Sequence, residues 1–129
     1  MTVDGWIPVD PLTLETTYPG VFAVGDVTSI GTPKAGVFSE RQAAVAAQRI
    51  ISLIRGRPAT SEYDGYGMCY LEFGHDEVAR VEVQFVSGQS PTGTYEEPSE
   101  MLAAAKAEFG TSRIRRWFDR AWTSVPGQT

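Results

Sequence analysis

One cysteine and one histidine, Cys69 and His75, are the only soft metal ligands of this kind in a sequence of 129 residues. A single thiol excludes an internal disulfide framework. A single imidazole with no cysteine or second histidine beside it excludes a zinc cluster of ordinary ligand count. No apolar run approaches the roughly 18 residues that a membrane-crossing helix needs. Met1 to Gly5 carries neither a basic region nor an apolar block, so no secretory leader is expected there. Basic residues are in the minority: 11 Lys and Arg against 16 Asp and Glu leave a formal charge of −5. That balance argues against a nucleic-acid partner, which requires a basic footprint. Cytoplasmic residence is the resulting expectation.

The charge is unevenly spread. Arg113, Arg115, Arg116 and Arg120 against Asp119 give a local +3, and the remaining 7 basic and 15 acidic residues give −8. An acidic body with a surface-seeking basic tail fits this asymmetry. Hydrophobic residues make up 42% of the chain, enough for a packed core.

Pro8, Pro11 and Pro19 punctuate the first region, and Pro19-Gly20 is a turn. The run Val21-Phe22-Ala23-Val24 that follows reads as a short strand buried on both faces. Its backbone groups must find partners, either at Trp6 to Val9 or in a second copy of the chain, and a homodimer is expected on that ground. A helix is predicted over 35–55, with Ala43, Ala46, Ala47, Ile50, Leu53 and Ile54 as its apolar stripe. Gly56 ends it and Pro58 prevents its continuation. A change of composition at Arg57 to Gly65 separates a module at 1–57 from one at 58–129.

Tyr66 to Phe73 and Val78 to Val86 read as two strands of a hairpin turning at Gly74 to Glu77, with Cys69 sharing a face with Leu71 and Phe73. Ser87 to Pro98 reads as an irregular polar loop. Ser99 caps a helix ending near Gly110. Thr111 or Ser112 caps a last helix, in which Ile114, Trp117, Phe118, Ala121 and Trp122 form a stripe. The expected class is α+β.

The segment Thr17-Tyr18-Pro19-Gly20-Val21-Phe22-Ala23-Val24-Gly25-Asp26 resembles the second flavin-binding motif of pyridine-nucleotide-disulfide oxidoreductases. The continuation Gly31-Thr32-Pro33-Lys34-Ala35-Gly36-Val37-Phe38-Ser39-Glu40-Arg41-Gln42-Ala43, with Pro-Lys-Ala-Gly opening a helix, is similar to sulfide:quinone oxidoreductases, their flavocytochrome relatives and related NADH:quinone oxidoreductases. Tyr66-Gly67-Met68-Cys69-Tyr70-Leu71-Glu72-Phe73-Gly74 resembles the strand that carries a redox cysteine in the first of these. The resemblance implies that residues 1–57 are the closing strand, loop and helix of a Rossmann-like FAD-binding domain, and that 58–129 form a carboxy-terminal hairpin and helical module.

It further implies FAD as cofactor. Gly25 would allow close backbone approach and Asp26 would accept a hydrogen bond from the ribityl chain. Amides of Ala35, Gly36 and Val37 at a helix start would stabilise negative charge on the flavin ring. Lys34 would add a cation beside flavin or quinone; its plainer reading is an exposed loop lysine. Cys69 would pair with a cysteine lying upstream, outside this chain, and exchange sulfane sulfur; its plainer reading is a buried structural thiol. Quinone is the implied acceptor, and residues 113–122 would touch the inner face of a membrane peripherally, unless they form an ordinary docking helix.

The Gly-x-Gly-x-x-Gly turn that binds pyrophosphate in such enzymes is absent from the chain, so FAD is not expected to bind it tightly alone. The alternatives left open are a non-catalytic dimerisation or membrane-docking module, and part of an NADH-dependent quinone or ferredoxin reductase.

Overall fold

The computed structural model describes residues 2–119, so Arg120, Ala121 and Trp122 of the expected last stripe lie outside the described residues. The elements are α1 (Gly36–Ile54), β1 (Tyr66–Gly74), β2 (Glu77–Gln84), β3 (Thr92–Ser99) and α2 (Glu100–Phe118), preceded by a single 3-10 turn at Gly25–Val27. The class is α+β, with one antiparallel sheet in the order β1-β2-β3. Two compact units are present: 2–68 with 82–94, and 69–81 with 95–119. All three strands contribute residues to both.

In the first unit, residues 3–28 are held by isolated bridges rather than a ladder. The expected strand at Val21 to Val24 does not form. Only Phe22 bridges, to Glu15, and Val21 is 51% exposed instead of buried. Among the described residues no parallel neighbour flanks this run, and it folds back across the turn at Tyr18 to Gly20. Thr16 N–H donates to the Val21 carbonyl and Ala23 N–H to that of Leu14. Trp6 to Val9 pairs elsewhere, Ile7 with Thr28 and Val9 with Thr16. Part of the backbone pairing that suggested a second copy is thus found inside the chain.

The core of this unit is Leu14, Phe38, Ala46 and Tyr63, with Phe22, Val24, Ile30, Val83 and Phe85 packed against it. Phe38 meets Phe85 edge to face at 5.9 Å. The α1 helix ends as its sequence requires. Gly56 adopts φ +61, its N–H donates to the Leu53 carbonyl, and Arg57 N–H donates to that of Ser52. Of the predicted stripe only Ala46 lies on the buried face of α1, however. Phe38, Gln42 and Ala46 are its buried residues, whereas Ile50, Ile51, Leu53 and Ile54 are exposed, Ile54 by 80%. Periodicity identified an apolar side of the helix, but this unit covers the polar-interrupted side next to it.

The second unit is built from the hairpin and α2. The β1–β2 turn has only His75 and Asp76 at its apex, with φ of +52 and +59. Positive φ at both central residues is the type I′ geometry that matches the twist of the flanking strands. Tyr70 of β1 packs edge to face on Phe109 of α2 at 5.5 Å, and Lys106 pairs with Glu72. Arg80 of β2 pairs with Glu96 of β3 at 2.8 Å.

Two expectations are corrected here. The supposed loop at Ser87 to Pro98 contains β3, whose Gly93 lies so close to the Glu82 carbonyl that a Cβ would come within 2.9 Å. Pro98 is tolerated because β3 is an edge strand. The break at Gly110 is also absent. Thr111 and Ser112 send their hydroxyls back to the carbonyls of Ala107 and Phe109, at 2.9 and 3.1 Å, instead of capping a new helix. Ser99 does cap α2, accepting from Leu102 N–H at 3.3 Å.

Candidate functional site

The chemistry-bearing residues of the first unit gather where the 3-10 turn, the loop at 28–35 and the start of α1 meet. Gly25 stands at φ +77, a conformation that favours glycine over any side chain. A Cβ there would also come 3.0 Å from the Ser39 hydroxyl of α1. Its N–H donates to Gln42 Oε1 at 2.7 Å. Its carbonyl accepts from the Thr28 hydroxyl at 2.8 Å and from Thr28 N–H at 3.1 Å. Asp26 follows, exposed, after a glycine whose N–H and carbonyl are both bonded.

Lys34 is engaged within the unit. Its ammonium donates to the Thr28 carbonyl at 2.5 Å and lies 4.3 Å from the centre of the Trp6 ring, in a cation–π contact. Ala35 is the N-cap of α1 and makes no side-chain cap. Its own N–H is donated to the Pro33 carbonyl at 3.0 Å, while its carbonyl accepts from Phe38 and Ser39. Gly36 and Val37 occupy the first-turn positions whose amides the helix itself cannot use. No acidic side chain stands in that first turn. An uncapped, acid-free helix start beside an exposed carboxylate on a glycine turn fits an electron-rich ring with a hydroxylated arm.

Gln42 and Thr32 fall within the Gly31 to Ala43 stretch but were given no role there, and they tie the site together. Gln42 is 1% exposed and Thr32 7%. Gln42 Nε2 donates to Thr32 Oγ1 at 3.3 Å, so one amide bonds both loops. The available signal was a glutamine spaced by four between Phe38 and Ala46. Tyr63 is buried beside this node. Burial pushes its phenol above the ordinary 10.0, against the opposing influence of Gln42 and Thr32. Its hydroxyl makes no hydrogen bond of normal geometry. A cavity of about 280 Å³ opens alongside, lined by Leu12, Ile30, Thr32, Tyr63 and Phe85 among others.

No protein-family model matches the chain. Individual relatives do. The mitochondrial sulfide:quinone oxidoreductase of Mus musculus is 27% identical over 99 residues, which cover 76% of this chain and 22% of that protein. That of Schizosaccharomyces pombe is 31% identical over 99 residues, covering 76% and 21%. The Dictyostelium discoideum protein is 28% identical over 82 residues, covering 63% and 18%. The chain is similar to a segment of these sulfide:quinone oxidoreductases. It spans about a fifth of the length of these curated relatives.

Cys69 belongs to the second unit, as a half-buried free thiol in β1. By the period of the strand it shares a face with Leu71 and Phe73, both exposed, opposite the face on which Tyr70 meets α2. Gly25, Asp26, Lys34, Ala35, Gly36 and Val37 all belong to the first unit. Among the described residues no helix is long and apolar enough to cross a membrane.

Proposed function

We propose that this segment forms the flavin-contacting turn and helix of a sulfide:quinone oxidoreductase-type flavoprotein, and that it acts only with a further dinucleotide-binding portion. In that reading the intact protein passes electrons from sulfide or a similar donor to quinone, and FAD supplies the two-electron chemistry between them. Asp26 accepts a hydrogen bond from the ribityl chain, and Gly25 lets the backbone approach closely. The Gly36 and Val37 amides stabilise negative charge on the ring. Cys69 is the group that takes up sulfur. Sulfide attacks a disulfide between Cys69 and a cysteine of the further portion, the S–S bond breaks to leave a persulfide on Cys69 and a thiolate on the other cysteine, and that thiolate passes the electron pair to FAD.

The observation that carries the reading is the exposure of Asp26 on a turn that Gly25 ties to α1 through Gln42. The uncovered face of α1 at Ile50, Ile51, Leu53 and Ile54 supports the need for a further portion, since an apolar helix face of this extent is normally packed. The last turn of α2 exposes Trp117 and Phe118 near Arg115 and Arg116. That composition supports peripheral contact with a membrane surface.

The test is flavin retention. Co-expressed with the dinucleotide-binding portion of a sulfide:quinone oxidoreductase, the chain is expected to yield a complex with a flavin spectrum, and Asp26→Ala is expected to lose most of it. Undiminished flavin in the Asp26→Ala complex would falsify the assignment. Cys69→Ser separates the chemistries: loss of sulfide-dependent quinone reduction supports the sulfur role, and unimpaired turnover with NADH favours an NADH-dependent reductase.

A further inference from the structure

The geometry points to Gln42 as the positioning residue of this site, the side chain that fixes the Gly25–Asp26 turn and the following loop to α1. The inference rests on the flavin reading of that turn for its meaning, although its structural content does not. A primary amide at 1% exposure, between Phe38 and Ala46 on the buried face of α1, is an unusual choice for a core. An unpaired buried amide is costly, whereas one with both ends bonded is tolerated and specifies a single arrangement. Here both ends are used, and each reaches a different loop. Oε1 takes the Gly25 N–H at 2.7 Å and Nε2 reaches Thr32 Oγ1 at 3.3 Å.

The two attachments do different work. Gly25 is restrained on its other side by Thr28, whose hydroxyl donates to its carbonyl at 2.8 Å. With both polar groups of Gly25 held, the peptide leading into Asp26 has little freedom, and the place of the Asp26 Cα follows. Thr32 stands three residues before the N-cap Ala35, so the second attachment sets the path of the chain into the helix start that carries Gly36 and Val37. One side chain therefore registers the carboxylate against the amides. Both would have to face the same cofactor, and misplacement by an ångström is enough to weaken such a constellation.

Amide hydrogen exchange on the isotope-labelled chain reads this arrangement directly. Gln42→Met keeps the volume and removes both hydrogen bonds. It is expected to accelerate exchange at Gly25 by about tenfold, the equivalent of one lost hydrogen bond, and to leave the core amides of α1 near Ala46 unchanged. Thr32→Val removes only the second attachment and is expected to have a smaller effect at Gly25. Gln42→Glu retains an acceptor for the Gly25 N–H and is expected to restore its protection. Exchange at Gly25 that is unmoved by Gln42→Met, or that rises equally at every core amide, overturns the assignment. If Gln42→Met does not fold, Thr32→Val decides: a change confined to Gly25 and the 28–35 loop supports the inference and none refutes it. In the co-expressed complex, Gln42→Met is expected to weaken flavin retention with Asp26 intact. A wild-type complex that holds no flavin sinks the functional reading and leaves the exchange result to decide the role of Gln42.

Discussion

The ring of Phe38 fills the space that a side chain at Gly67 would occupy. A Cβ built on Gly67 collides with the far edge of that ring, and Phe38 cannot retreat because it is 2% exposed and packed against Phe85. The glycine in β1 is thus a packing requirement of the first unit. Gly67→Ala is expected to destabilise by about 1–3 kcal/mol, the usual range for overpacking. Shortening the ring with Phe38→Leu in the same chain should recover part of that loss. A double-mutant cycle by thermal unfolding checks this, and additive effects of the two changes would show that the residues do not share the space.

At the hairpin apex the expectation has the opposite sign. His75 and Asp76 both sit at positive φ, +52 and +59, where residues with a Cβ are strained and Asn-Gly is preferred. Replacing the pair, His75→Asn with Asp76→Gly, is expected to stabilise the second unit by about 1 kcal/mol, within the range that left-handed geometry costs an L-residue. Slower amide exchange at Val78 and Ala79, with an unchanged pattern in α1, is the measurement. Faster exchange would mean that the wild-type side chains contribute contacts that outweigh the strain.

These two sites show what could be read from the chain beforehand. The hairpin was legible because alternation through Arg80 to Phe85 fixes a period of two and Gly74 marks the turn. The helix at 36–54 was legible from its alanines and from Gly56. Its inward face was not, because Ile50, Leu53 and Ile54 dominate any apolar count while Gln42 is scored as polar. Only the partners at Gly25 and Thr32 make its burial favourable, and these lie 17 and 10 residues away in sequence. The β3 strand was hidden for a similar reason. Thr92 to Ser99 has weak alternation, and its pairing depends on Gly93 fitting against β2. Val21 to Val24 failed conversely: its composition suits a central strand, but no ladder flanks it among the described residues. At the site, the Thr-to-Asp motif led to Gly25 and Asp26, whereas the contacts of Lys34 with Thr28 and Trp6 had no local signal.

α2 gives a pair of opposite expectations on one element. Ser99→Ala removes the oxygen that accepts Leu102 N–H at 3.3 Å, and loss of such a cap costs about 1 kcal/mol. Gly110 lies inside the same helix with open space around its Cα. Gly110→Ala should stabilise by about 0.5–1 kcal/mol, because alanine loses less backbone entropy on becoming helical. Circular dichroism melts of the two variants should move to either side of the wild type. A neutral Gly110→Ala would indicate that α2 is not continuous through this position in solution.

The last expectation concerns acid. Hydrogen bonding from Thr13 N–H, chiefly, holds the Asp10 carboxyl below its ordinary 3.8, against the opposing effect of burial. For Asp64 burial is the largest influence and pushes upward, but the Tyr66 N–H and the Arg41 guanidinium together outweigh it, and the net direction is also downward from 3.8. Both groups therefore favour the ionised form more in the folded chain than in the unfolded one. Their contribution to stability is complete above the ordinary value and is lost as pH falls through the lower, folded value. Asp64 and Arg41 are each 46% exposed, so solvent screening keeps their share small, whereas the Asp10 contribution comes from backbone donors at 2.7 and 3.0 Å. The melting temperature should accordingly begin to fall near pH 4 and continue downward. Asp10→Asn should flatten that fall more than Asp64→Asn does. A profile from pH 6 to pH 2 that is equally steep in both variants and the wild type would place the acid sensitivity in other carboxylates.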